Sequence, residues 1–160
     1  FALAFPKADA LIGVASDRSR KTELKNLLTG RSVATWQPAQ DPYGLTLSRD
    51  GRLVVAAEDR SWVVRDAATG KVVSTLRGLP AGTLGVAVFS PDGKTLAVSD
   101  DAASGDNRVH LYDPATGEPR RSFLAHPAAI RGIAFSPDGR RLVTGSHDST
   151  ALVWNLPVDP

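Results

Sequence analysis

Apolar residues in this chain come in short alternating runs, each ending at a cluster of turn formers. Val86-Ala87-Val88-Phe89 and Ile133-Ala134-Phe135 run into Ser-Pro-Asp-Gly, and Leu96-Ala97-Val98 and Leu142-Val143-Thr144 run out of it. Alternation with a period of two, bounded by Gly, Pro, Asp and Ser, predicts strands. The longest stretch free of Gly and Pro is Arg52–Thr69, 18 residues rich in Val, which argues against long helices and coiled coils. In Ser-Pro-Asp-Gly the proline presets φ, the aspartate bonds nearby backbone, and the glycine takes positive φ. The motif therefore predicts a hairpin joining a first strand, a, to a second, b. Val109–Tyr112 and Ala151–Trp154 supply a third strand, c. An Asp-x-x-Thr-Gly turn then leads to a fourth, d, over Ser32–Trp36, Val72–Leu76 and Arg121–Leu124.

The pattern repeats. Phe89-Ser90-Pro91-Asp92-Gly93 recurs as Phe135-Ser136-Pro137-Asp138-Gly139, in weaker form as Leu47-Ser48-Arg49-Asp50-Gly51, and in decayed form as Phe5-Pro6-Lys7-Ala8-Asp9. These copies stand 42, 42 and 46 residues apart. The second motif keeps the same register: Asn26-Leu27-Leu28-Thr29-Gly30, Asp66-Ala67-Ala68-Thr69-Gly70, Asp113-Pro114-Ala115-Thr116-Gly117, with Asn155 opening a fourth copy. Two motifs in phase through four copies predict four antiparallel units, since a fixed period of this length marks a repeat architecture.

A repeat of this length and pattern resembles the WD-repeat β-propeller family. The segment from His126 to Asn155 carries the resemblance best, with Ala125-His126 in place of the family's Gly-His and Trp154-Asn155 in place of its closing Trp-Asp. The resemblance implies an all-β fold: a β-propeller segment of four WD-repeat-like four-stranded antiparallel blades, the last lacking its outer strand. As a single partial domain over 1–160, its blades fall at about 1–37, 38–79, 80–125 and 126–160. The resemblance also implies a hydrogen-bonded structural tetrad of His126, Thr144 (Ser146 the alternate), Asp148 and Trp154. The other copies depart from it. The His position holds Pro38 and Pro80, the Trp position holds Lys25, Arg65 and Tyr112, and Asp59 and Asp106 keep the Asp position alone. Those blades are expected to be held by apolar packing and ladder bonds and to be less rigid.

Propellers close as rings of several blades. Four a-b-c sets with three d strands read as the C-terminal part of a longer bacterial-type propeller, or as a half-ring that pairs with its own copy. The chain begins at Phe1 rather than Met and carries no secretory leader pattern. The longest apolar runs, Phe1–Phe5 and Leu53–Ala57, are five residues, too short for a helical membrane span.

Composition narrows the chemistry. The 160 residues include no Cys, so disulfides, thiolate metal sites and cysteine nucleophiles are excluded. Lys+Arg is 19 against Asp+Glu 17, a net charge of +2, small for a nucleic-acid footprint. The basic clusters Arg18-Ser19-Arg20-Lys21, Arg120-Arg121 and Arg140-Arg141 fall in different elements and lack interleaved aromatics, so they read as solvated surface. His110 reads as a strand-face residue, and the loop Ser99–Asn107, with Asp100, Asp101 and Asp106, as a solvated insertion without the spacing of a calcium loop. No catalytic residue, cofactor site or metal site is assigned.

The resemblance thus implies a non-catalytic interaction scaffold, expected to be a cytoplasmic piece of a larger regulatory protein offering blade-end loops to a protein or peptide. Membrane and nucleic-acid partners are not expected, and open blade faces allow self-association. The alternatives are a portion of a propeller enzyme whose catalytic residues lie elsewhere, and a purely structural spacer. By position, the partner-binding rim is expected at the starts of strands a and at the b–c turns: Asp41, Tyr43, Glu58, Thr83, Arg131 and His147.

Overall fold

The computed structural model describes residues 2–7, 10–16, 21–26, 28–38, 43–79, 85–100 and 107–156, with backbone alone over 2–7, 10–16 and at Tyr43. The described elements are strands. Four make the first sheet: β1 (Ala2–Lys7), β2 (Ala10–Ser16), β3 (Thr22–Asn26) and β4 (Ser32–Trp36). The second holds β5 (Tyr43–Leu47), β6 (Leu53–Glu58), β7 (Ser61–Asp66) and β8 (Val72–Thr75), and the third β9 (Ala87–Phe89), β10 (Leu96–Ser99), β11 (Asn107–Tyr112) and β12 (Pro119–His126). β13 (Ile130–Phe135), β14 (Arg141–Ser146) and β15 (Ala151–Asn155) form a three-stranded fourth sheet. Every sheet is an antiparallel meander in which each strand pairs with its neighbour in the chain. This is the expected all-β set of blades, a to d, with no fourth strand in the last among the described residues.

The hairpin turns follow from their side chains. In each of three copies the serine hydroxyl (Ser48, Ser90, Ser136) donates to the aspartate two residues on, at 2.6, 2.6 and 2.5 Å. The same hydroxyl accepts the N–H of Leu53, Thr95 or Arg141 across the turn. These serines are spent on the turn, as their recurrence requires. The c–d turns use another device. Asp66 Oδ1 and Asp113 Oδ1 accept the backbone N–H of Thr69 and Thr116. Gly117 closes its turn at φ +76°, and a Cβ there would lie 2.3 Å from the carbonyl oxygen of Thr75. Only glycine meets both demands, because blade 3's turn sits directly on blade 2's outer strand.

Packing between blades makes the core. Leu24, Ala34 and Trp36 of blade 1 meet Leu47, Val54 and Ala67 of blade 2. Val55, Ala57, Trp62, Val64 and Leu76 of blade 2 meet Ala87, Phe89, Leu96, Val98 and Tyr112 of blade 3. Ala97, Val109 and Leu111 of blade 3 meet Ile130 and Leu142 of blade 4, with Phe123 tilted against Trp154 at 4.7 Å between ring centroids. A blade buries one face on each neighbour, as repeat stacking demands. Blade 4's other face is bare: Val143 and Val153, paired in register, are 39% and 62% exposed. Their counterparts in blade 3, Ala97 and Leu111, are 0% and 7% exposed beneath blade 4.

One strand departs furthest from the sequence expectation. β12 runs from Pro119 to His126 rather than over Arg121–Leu124, because it pairs with the whole of β11, from Tyr112↔Pro119 to Asn107↔His126. It carries His126 into the third sheet, whereas the sequence places that residue at the head of the fourth blade.

Candidate functional site

The fourth repeat assembles its polar residues at the junction with the third. His126 ends β12 and is 1% exposed. Its Nδ1 meets Asp148 Oδ2 at 2.8 Å, and its Nε2 meets Thr144 Oγ1 at 2.7 Å. The indole N–H of Trp154 donates to the same Thr144 oxygen at 3.0 Å. One donor order satisfies all three contacts: Trp154 to Thr144, Thr144 to His126 Nε2, and Nδ1–H to the Asp148 carboxylate. Thr144, not Ser146, supplies the hydroxyl; Ser146 Oγ donates to the Ala128 carbonyl at 2.9 Å and accepts Asp148 N–H at 3.1 Å.

Asp148 is further held by Thr150, whose hydroxyl donates at 2.6 Å and whose N–H donates at 2.8 Å. The Thr150 hydroxyl first, then the His126 imidazole and the Thr150 N–H, hold its carboxyl down to about 2 against an ordinary 3.8, while partial desolvation pulls the other way. A carboxyl whose folded value lies below its unfolded one stabilises the fold above the unfolded value and loses that contribution as it protonates. Asp148 should therefore contribute full stability above pH 3.8 and lose it as the pH falls toward about 2. Urea midpoints measured across that interval should fall less steeply in Asp148→Asn than in the parent; equal slopes would mean that Asp148 is not the titrating group.

The junctions lacking the tetrad carry their own polar ties, which corrects the expectation of apolar packing alone. Between blades 1 and 2, Glu58 is 2% exposed and accepts the Trp36 indole N–H at 2.6 Å. Arg65, at the Trp position of its repeat, pairs with the same carboxylate through Nη2 at 2.6 Å and Nε at 3.1 Å, and donates to the Gly70 carbonyl at 3.0 Å. Its guanidinium also lies over the Trp36 ring, 5.4 Å from the centroid. Between blades 2 and 3, the Tyr112 hydroxyl donates to the Arg77 carbonyl at 2.9 Å, and Ser74 donates to the Pro114 carbonyl at 2.7 Å. Burial, together with the negative Asp100 nearby, pushes the Tyr112 hydroxyl up to about 12, so it remains a donor. The c-strand position that holds Trp154 in blade 4 thus holds Arg65 in blade 2 and Tyr112 in blade 3, and ties a junction in each of these three blades.

Glu58 is accordingly not a rim residue; its carboxylate is committed between two blades. Asp100 is not a solvated loop residue either. It is 4% exposed, accepts Arg108 N–H at 2.5 Å, and meets His110 Nε2 at 3.0 Å, so His110 has a buried acid partner.

Of the other rim residues, Arg131 and His147 are both exposed, and Arg131 Nε donates to His147 Nε2 at 3.2 Å. His147 N–H donates to the Ala129 carbonyl at 3.0 Å, fastening the b–c turn to the start of strand a. Tyr43 opens β5, opposite Ala57. Asp41 and Thr83 lie outside the described residues, as do Arg18, Arg20, Pro80 and Asp106. Among the described residues no group of three or more His, Cys, Asp or Glu could hold a metal ion, and no helix is long and apolar enough to cross a membrane.

Comparison with known proteins agrees with this geometry. The model of the WD domain, G-beta repeat family matches residues 70–113 and 117–155, more than half of the chain. The chain is a WD-repeat protein. An uncharacterised WD repeat-containing protein of Synechocystis is 30% identical over 109 residues, 68% of this chain and 30% of that protein. Serine-threonine kinase receptor-associated protein of Gallus gallus is 28% identical over 142 residues, 89% of this chain and 36% of that one. Nuclear distribution protein PAC1 of Arthroderma otae is 37% identical over 86 residues, 17% of its length. The WD-repeat chain thus spans about a third or less of the length of these curated relatives. Its fold is that of the computationally designed Ika4 protein, with TM-score 0.74 at 20% identity, covering 97% of this chain and 89% of the designed one. It also matches 45% of the designed Ika8 protein, with TM-score 0.72 at 20% identity. The four sheets are four blades of a β-propeller.

Proposed function

We propose that this WD-repeat chain is a non-catalytic interaction scaffold, which holds the rim at its b–c turns and strand-a starts rigid and presents it to a protein or peptide partner. The observation that carries the reading is the Arg131–His147 contact. Two exposed side chains, one from the start of strand a and one from the b–c turn, lie against each other at 3.2 Å, on a turn anchored from below by the contact of buried His126 with Asp148. Side chains fixed in this way lose little freedom when a partner binds, which is what a recognition surface needs. The relatives support it at the level of the family: one bears a name that describes association with a receptor kinase. A cytoplasmic place within a larger regulatory protein belongs to the same proposal, as does self-association through the bare Val143–Val153 face.

Alanine at Tyr43, Arg131 and His147 together tests the rim. Quantitative pull-down from the native host should lose the bound partner from the triple variant while the fold, followed by circular dichroism, is kept. Undiminished capture by a folded variant would place recognition elsewhere.

A further inference from the structure

Arg120, Arg121 and Arg140, which the sequence scatters over different blades, line one groove. A groove of about 840 Å³ opens between blades 3 and 4 at the end of the sheets opposite the Arg131–His147 rim. Its walls are the two Ser-Pro-Asp-Gly turns and the start of β12; its floor includes Leu111, Phe135 and Leu156. Lys94, Arg120, Arg121 and Arg140 line it against two carboxylates, Asp92 and Asp138. The lining alone therefore carries a surplus of two positive charges, equal to the net charge of the whole chain.

The carboxylates are already occupied. Asp92 Oδ1 accepts the Ser90 hydroxyl and Lys94 N–H, and Asp138 Oδ1 accepts the Ser136 hydroxyl and Arg140 N–H. The serine hydroxyl, foremost in each case, holds the carboxyl below its ordinary value. Arg120 is bound to Asp113 at 2.8 Å and to Thr95 at 3.2 Å. Arg121 lies over the Phe123 ring at 5.8 Å, and neither it nor Arg140 has a carboxylate within salt-bridge distance among the described residues.

The groove is not a generic consequence of the repeat. Forty-seven residues earlier, blade 2 carries Val73 and Ser74 where blade 3 carries Arg120 and Arg121. There Ser74 is 8% exposed and bonded to Pro114 of the next blade's turn. The counterpart of Arg121 in blade 2 is thus buried and uncharged and the counterpart of Arg120 is a valine, 42% exposed, whereas the blade 3–4 edge carries an arginine at each place.

We propose that this groove docks an acidic segment of a partner protein. The carboxylates of that segment would engage Arg121 and Arg140, and one apolar side chain would seat on the Leu111–Phe135–Leu156 floor. The proposal rests on the scaffold reading but uses the other end of the blades. Fixed aspartates at both turns disfavour a continuous polyphosphate, which has to place a charge beside each, and favour discrete acidic side chains between them.

A fluorescein-labelled glutamate-rich peptide with one central phenylalanine, titrated with the full chain and followed by anisotropy, tests it; the same peptide with glutamine for glutamate is the comparison. The glutamate peptide should bind and the glutamine one should not, with affinity falling as salt rises. Arg121→Glu and Arg140→Glu should each weaken binding roughly tenfold or more, whereas Lys71→Glu, an exposed charge change in blade 2, should leave it unchanged. Equal binding of the two peptides, or equal loss in Lys71→Glu, would overturn the proposal. So would tighter competition by a single-stranded oligonucleotide, which would make the groove a nucleic-acid site. Because Tyr43, Arg131 and His147 lie outside this groove, a failed rim experiment and a failed groove experiment are told apart.

Discussion

Replacing Glu58 with alanine should lower stability by about 3–5 kcal/mol, the usual cost of stripping one partner from a buried ion pair. The change leaves Arg65, whose side chain is 15% exposed, without its carboxylate, and leaves the Trp36 indole N–H without its acceptor. Both groups are too enclosed to recover full hydration, so the loss is the desolvation cost of each and not merely one bond. For a domain of this size the melting temperature should drop by on the order of 10 °C. Glu58→Gln should be milder, since an amide oxygen still accepts the indole N–H. Arg65→Met in the Glu58→Ala background should recover part of the loss, because the uncompensated charge is then gone. A thermal melt of Glu58→Ala within about 1 kcal/mol of the parent would mean that the pair is no stronger than a surface contact, and the account of the blade 1–2 junction would fall.

His126→Ala should lower stability by about 2–4 kcal/mol, combining the cavity left by a buried ring with two broken hydrogen bonds. Thr144 loses its acceptor and Asp148 its imidazole donor at one stroke. The effect should be local in its first stage. Amide exchange should speed up in β14, β15 and the turn between them, while β6 and β7, tied through Glu58, keep their protection. Uniform loss of protection across both regions would show that the blades do not open independently, and that the tetrad secures the whole chain rather than one junction.

Much of this architecture was legible in the residues. Ser-Pro-Asp-Gly and Asp-x-x-Thr-Gly specify their turns through their own side chains, so they report strand ends without help from tertiary contacts. Val-Ala-Val-Phe and Leu-Val-Thr carry their burial as alternation. The tetrad was legible because one copy keeps the family's residue types in order. The Glu58 tie was not: its partners Trp36 and Arg65 lie 22 and seven residues away in different strands, and no motif links a glutamate to either. The clue available was negative, namely an arginine at a position where the family has tryptophan. The burial of Asp100 is hidden in the sequence for a related reason. A run of Asp, Ser and Gly reads as loop, but the first aspartate of that run stands where β10 ends, within reach of His110 on the paired strand. The groove arginines were visible as residues but not as neighbours, since only the stacking of blade 4 on blade 3 brings Arg140 beside Arg121.

The variety of the polar ties bears on how a repetitive chain avoids misassembly. Blades built on one plan have nearly interchangeable apolar faces, and apolar contact alone discriminates weakly between a right neighbour and a wrong one. Here each junction carries a different key: a carboxylate shared by arginine and indole, a phenol on a carbonyl, and an imidazole threaded between hydroxyl and carboxylate. A blade that docked out of sequence would bury Glu58 without Trp36, or His126 without Thr144, and would meet an unpaired polar group where the correct neighbour offers a bond. The departures from the family's tetrad thus leave each described junction with its own polar match, an address written in its interior.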